Sequence, residues 1–91
     1  MTIKFKLFAN FREATKQKEV EVSASGDTTG TAIKGLASKY PGLEPLLYQD
    51  GELKPYVNIL LNGESLKGED RVKAKIKDGD EIALFPPVSG G

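Results

Sequence analysis

The residues that could do chemistry lie together in the stretch Phe85-Pro86-Pro87-Val88-Ser89-Gly90-Gly91, directly after the apolar run Glu81-Ile82-Ala83-Leu84. Proline fixes φ and restricts the residue before it, so the run is expected to leave the domain as a stiff, extended arm. Val88 and Ser89 are small, and Gly90 and Gly91 have no side chains. A carboxylate at Gly91 can therefore pass down a narrow channel and lie against another protein's backbone. A carboxylate is a poor electrophile; as an acyl-adenylate it can be attacked by a nucleophile, with AMP leaving. At average glycine usage, two glycines end roughly 0.5% of chains by chance, and chain ends are often glycine-containing and poorly ordered. The pair gains its meaning from the rigid arm before it.

The rest of the composition narrows the options. With 91 residues, 38% hydrophobic and 29% charged, the chain reads as one globular domain with a modest core. The 13 basic and 13 acidic residues balance, which argues against nucleic acid as a partner. Cysteine and histidine are both absent, which removes disulfides, thiolate chemistry, the usual zinc ligand sets and histidine general-base catalysis. The opening MTIKFKLFANFRE has charge inside its apolar stretch and no signal-peptide core. No apolar run approaches the length of a membrane span. The expectation is a soluble, cytoplasmic protein without a bound cofactor, metal or membrane partner.

The elements that must position the arm follow from periodicity. TIKFKLF alternates, with Ile3, Phe5 and Leu7 on one face and Lys4, Lys6 and Phe8 on the other. EVEVS alternates similarly, placing Val20 and Val22 inward, and ANFREATKQK between them reads as a polar connection. GDTTGTAIKGLASKYPG reads as a helix, with Asp27, Thr28 or Thr29 supplying the N-cap and an apolar stripe of Ala32, Ile33, Leu36, Ala37 and Tyr40. Gly30 and Gly35 each weaken that helix by roughly 1 kcal/mol relative to alanine, and Pro41-Gly42 ends it. LEPLLYQDGELKP is irregular around an Asp50-Gly51 turn, YVNILLNG is a strand closing on an Asn62-Gly63 turn, and EIALF is the last strand. ESLKGEDRVKAKIKDGD has at most short strands.

This order fits an α+β domain: a mixed sheet of four to five strands with one main helix packed across it. The first and last strands have matching apolar character and are expected to form a parallel central pair. That arrangement is the β-grasp, or ubiquitin-like, fold. Residues 1–85 are expected to form this domain and residues 86–91 the extended tail.

The sequences VNILLNG and KDGDEIALFPPVSGG resemble the ubiquitin-like sulfur carriers, in particular the molybdopterin synthase small-subunit (MoaD-like) branch. The opening KFKLFANFRE is similar to that branch's first strand and the arginine after it. The related thiazole-pathway carriers (ThiS) share the fold and the Gly-Gly end, but are usually shorter and lack FPPV. The resemblance implies a non-catalytic carrier. An E1-like adenylyltransferase uses ATP to adenylate Gly91, a sulfur donor protein converts the adenylate to a thiocarboxylate, and the sulfur passes to the dithiolene of molybdopterin, for a molybdenum or tungsten cofactor. The acceptor site lies in a large subunit, with a heterotetramer expected. Gly91 would carry the sulfur, Gly90 would give access, and Pro86, Pro87, Val88 and Ser89 would meet the partner.

Strand parity adds a second expectation. Lys4, Lys6, Phe8, Asn58, Leu60, Glu81, Ala83 and Phe85 face away from the core. Phe8, Leu60 and Phe85 then form an apolar patch beside the tail, a candidate docking surface. Single exposed apolar residues are otherwise ordinary. Arg12 matches a position of the family and is read as contacting a partner or holding its loop, whereas Arg71 reads as a surface salt bridge. Asp78-Gly79-Asp80 reads as the turn into the last strand, since calcium-loop spacing is absent. An adenylated Gly91 could equally be attacked by lysine, making the protein a modifier, and the eleven lysines do not single out an acceptor. Sulfur supply to tRNA thiolation and a plain β-grasp interaction module complete the alternatives.

Overall fold

Alternation makes β1 (Thr2–Leu7) a two-faced strand, with Ile3, Phe5 and Leu7 buried and Lys4 exposed. The computed structural model describes residues 1–86. Pro87, Val88, Ser89, Gly90 and Gly91, all singled out in the sequence, lie outside the described residues. β2 (Glu19–Ser23) pairs antiparallel with β1 and sets Val20 and Val22 opposite Phe5 and Ile3. β7 (Glu81–Phe85) lies parallel on β1's other side, with Ile82 level with Phe5 and Leu84 level with Leu7. β5 (Asn58–Leu61) runs antiparallel to β7, and the short β6 (Glu64–Ser65) closes the sheet in the order β2-β1-β7-β5-β6. The expected parallel central pair and mixed sheet are present. This is the β-grasp arrangement.

Helix α2 (Thr29–Lys39) covers the inner face. Thr28 is its N-cap, and its hydroxyl accepts from Thr31 N–H while Thr28 N–H donates to Thr31 Oγ1, each at 3.3 Å. This reciprocal cap satisfies two amide donors that the helix itself leaves unpaired. Ala32, Ile33, Leu36 and Ala37 are buried on the predicted stripe, while Tyr40 becomes the half-buried C-cap just before Pro41. A Cβ on Gly30 would sit 2.8 Å from the Val72 carbonyl oxygen of α4 (Asp70–Lys73). The glycine that weakens the helix locally thus permits the close approach of α4.

Three segments carry more structure than the sequence announces, one of them the stretch after β6, where helix α4 forms in place of the expected short strands. The connection after β1 contains helix α1 (Ala9–Thr15), which buries Phe11 and Thr15. Thr15 Oγ1 donates to its own helix backbone and accepts from Gln17 N–H at 3.2 Å, so its burial leaves no unpaired hydroxyl. Residues 41–53 form a 3-10 turn (Pro41–Leu43), helix α3 (Glu44–Leu47) and a small hairpin, β3 (Tyr48–Gln49) and β4 (Glu52–Leu53). Leu43 and Leu47 are fully buried and extend the core beyond the sheet and α2. The predicted turns at Asp50-Gly51 and Asn62-Gly63 both place consecutive residues at positive φ, as tight hairpins require.

The acidic turn before β7 ties the sheet together. Asp78 Oδ1 accepts from Thr2 N–H at 2.6 Å, and Asp80 Oδ2 accepts from Lys77 N–H at 2.7 Å. Asn62 donates through Nδ2 to Asp80 Oδ1 and accepts at Oδ1 from Glu81 N–H. One turn therefore sets the start of β7 against both β1 and the β5–β6 hairpin.

Candidate functional site at the end of the central strands

The parity that buries Ile82 and Leu84 turns Glu81, Ala83 and Phe85 outward. In the adjoining strands, Lys6 lies level with Ala83 on one side and Leu60 lies level with it on the other. Phe85 is level with Asn58. Phe8 follows β1 immediately, and the register pairing Leu7 with Leu84 brings Phe8 beside Phe85. The structure therefore gathers Phe8, Leu60 and Phe85 on one sheet face, at the end from which Pro86 departs.

Phe8 and Phe85 touch. Their rings are stacked, with centroids 4.2 Å apart and planes 11° apart. Phe8 remains 37% exposed, and Leu60, Phe85 and Pro86 are half-buried. The result is an aromatic surface still open to a partner, not a sealed core. Parity predicted both outward positions; the ring contact follows from the parallel register, which the structure supplies.

Charges frame this surface. Lys6 Nζ lies 3.6 Å from Glu81 Oε2 in a solvent-exposed ion pair, a type that contributes little stability. Arg12 is exposed on α1 and lines a surface depression of 420 Å³ with Lys6, Phe8, Lys18 and Glu19. Its placement beside Phe8 makes it part of the same face.

Arg71 is not the surface salt bridge that its type suggests. Its Nη2 donates to the carbonyls of Lys54 at 2.7 Å and Val57 at 2.6 Å, tying α4 to the segment leading into β5. Partial burial lowers its pKa from the usual guanidinium value. The backbone N–H of Lys77 and the Asn62 amide hold the Asp80 carboxyl below its ordinary range, with the Lys77 charge adding to the effect. Burial pushes the Tyr48 phenol up to about 12, helped by the charge of Glu44. Arg71 and Asp80 are held by structural partners, and neither is among the residues that form the aromatic face. Among the described residues, no group of three or more acidic side chains is placed to hold a metal ion. No helix among them is long and apolar enough to cross a membrane.

A mixed β-grasp sheet with an aromatic face at the Phe85 end of its middle strand defines a ubiquitin-like protein. The ThiS family model matches residues 5–91, and this chain belongs to that family of ubiquitin-like sulfur carriers. Small archaeal modifier protein 3 of Haloferax volcanii is 39% identical, with all of both chains covered. A crystal structure of small archaeal modifier protein 1 from the same organism superposes with a TM-score of 0.88 at 40% identity, again covering both chains completely. The molybdopterin synthase sulfur carrier subunit of Arabidopsis thaliana is 34% identical over 98% of this chain and 82% of its own.

Proposed function

We propose that this protein carries sulfur at Gly91 as a thiocarboxylate. An E1-like adenylyltransferase docks on the Phe8, Leu60 and Phe85 face, with Arg12 at its edge. The Gly91 carboxylate attacks the α-phosphorus of ATP and pyrophosphate leaves. Sulfide delivered by a donor protein then attacks the acyl carbon and displaces AMP. The thiocarboxylate enters the large subunit of molybdopterin synthase and gives its sulfur to the dithiolene. Glycine at 90 and 91 suits a narrow channel, and the absence of cysteine from the chain is consistent with a main-chain sulfur site. The observation that carries the reading is the sequence Phe85-Pro86-Pro87-Val88-Ser89-Gly90-Gly91, launched from the aromatic end of the central strand.

A second reading shares the first step. If a lysine amine attacks the adenylate instead of sulfide, Gly91 becomes joined to another protein through an isopeptide bond. The full-length likeness to small archaeal modifier protein 3 favours giving this fate equal weight. Sulfur transfer to tRNA is a variant of the first reading with a different acceptor.

The test is rapid alkylation and intact-mass analysis of protein isolated from cells that contain its activating enzyme. With no cysteine in the chain, iodoacetamide labels a thiocarboxylate against little background. A labelled peptide ending in Gly91 supports the carrier. Gly91 found on lysines of other proteins, without label, supports the modifier. Neither product in the presence of active enzyme and ATP overturns both.

A further inference from the structure

A cleft where α2, α4 and the β3–β4 hairpin meet plays no part in the carrier chemistry. It encloses 470 Å³ and shares no lining residue with the aromatic face. That volume is within the range of small-molecule sites. Leu53 and Val72 give the cleft apolar walls, and Lys34 and Arg71 give it charge. Glu52 is its one carboxylate, so two cations face one anion.

Arg71 is the informative member. Both its hydrogen bonds leave from Nη2, to the carbonyls of Lys54 and Val57. They use both hydrogens of Nη2 and fix the guanidinium. Nε–H and the two Nη1–H groups meet no acceptor among the described residues. Neither Arg71 nor Lys34 forms an ion pair among those residues. The tie between α4 and the segment before β5 engages Nη2 alone; it does not use the other three donors. Partial burial lowers the Arg71 pKa, as expected of a cation that has lost water and gained no counter-charge. Because the group is already held in place, an anion that binds it has little side-chain ordering left to impose. Tyr48 adds a neutral donor to the same cleft. Its half-buried hydroxyl has no partner among the described residues, and burial, with the charge of Glu44, pushes its pKa to about 12, so it keeps its proton.

The geometry points to a second site on this protein, for a small oxyanion on an apolar body, a phosphomonoester or a carboxylate: Arg71 and Lys34 hold the charge, the Tyr48 hydroxyl donates to it, and Leu53 and Val72 receive the body. The site is independent of the chemistry at Gly91 and holds for a carrier and a modifier alike.

The experiment titrates the isotope-labelled full chain and follows its backbone amides by NMR. Phenyl phosphate and benzoate are the probes; they share a ring and differ in the anion. Phenol has the ring without the charge. At least one of the anions is expected to shift the amides of Lys34, Gly51, Leu53 and Val72 and to saturate with a Kd of about 1–5 mM. The tighter of the two identifies the headgroup. Phenol should bind at least about fivefold more weakly. Lys34 and Glu52 are exposed, so their variants should fold, and thermal melts verify this. Lys34→Gln should weaken binding about threefold to fivefold, and Glu52→Gln should strengthen it about twofold. Tyr48→Phe, which keeps the ring, should weaken it about threefold to tenfold. Lys4→Gln, on the opposite face of the sheet, should leave it unchanged. Shifts that fail to saturate by about 20 mM, equal binding of phenol, or equal weakening by Lys4→Gln and Lys34→Gln would overturn the inference.

Discussion

Removing the Arg71 guanidinium should cost far more than losing an ordinary surface charge. The group donates to two main-chain carbonyls, of Lys54 and Val57, at 2.7 and 2.6 Å. Hydrogen bonds to charged groups contribute about 1.5–3 kcal/mol each. The guanidinium is partly exposed and water can reach part of this region, so the lower figure applies. Arg71→Ala should then destabilise the fold by about 3 kcal/mol. For a domain of this size that corresponds to a Tm lower by roughly 12–20 °C. Arg71→Lys keeps the charge and one donor direction but loses the planar fork, and should recover about half of the loss. Thermal melts and urea titrations at neutral pH measure both variants. An Arg71→Ala protein melting within about 3 °C of the parent would refute the reasoning and return Arg71 to the role of a solvated surface charge.

Gly30→Ala gains about 1 kcal/mol of helix propensity but drives a Cβ to 2.8 Å from the Val72 carbonyl oxygen; a net loss of about 1–2 kcal/mol is expected in a denaturant titration, and a stabilised variant would show that α4 yields freely. Asp80 has a lowered pKa in the fold, so its carboxylate adds stability that is present above its ordinary value of 3.8 and lost as pH falls through the folded value. Asp80→Asn should therefore be less stable than the parent at neutral pH, with the difference closing as pH falls below the ordinary value of 3.8 and through the lowered folded value; a difference independent of pH would exclude the charge as its cause. Phe85→Ala should weaken binding to the activating partner at least about tenfold in a titration calorimeter while Tm falls by less than about 8 °C, and the reverse pattern would place Phe85 in the fold instead of the interface.

Strands were legible because their faces differ. Ile3, Phe5, Leu7, Ile82 and Leu84 are buried in the alternation that the sequence displays, and the same parity put Phe8, Leu60 and Phe85 outward. Turns were legible where Asn-Gly and Asp-Gly permit positive φ. Helix α1 was not, because a seven-residue helix that buries only Phe11 and Thr15 offers no apolar period to detect. The segment 41–53 hid its structure for a related reason: Pro41 and Pro45 break it into single turns, each contributing one buried leucine, Leu43 and Leu47. Arg71 was misread because arginine favours carboxylate partners, whereas its acceptors are carbonyls 14 and 17 residues away. Gly30 likewise carries a helix penalty in sequence and an interhelical contact only in three dimensions.

β7 is the last strand of the described chain but the middle strand of the sheet. Until it is in place, β2–β1 and β5–β6 share no hydrogen-bonded ladder, because β7 is the strand that joins them. Its parallel pairing with β1 links Lys4 to Glu81, so this contact waits for the whole segment between them and closes a long loop. The strand that bears the arm is therefore also the keystone of the domain. During synthesis at the ribosome, the aromatic face cannot assemble ahead of the fold, since Phe85 arrives with the strand that completes it. A partner that recognises Phe8 against Phe85 in effect inspects whether the chain has finished folding before it handles the arm.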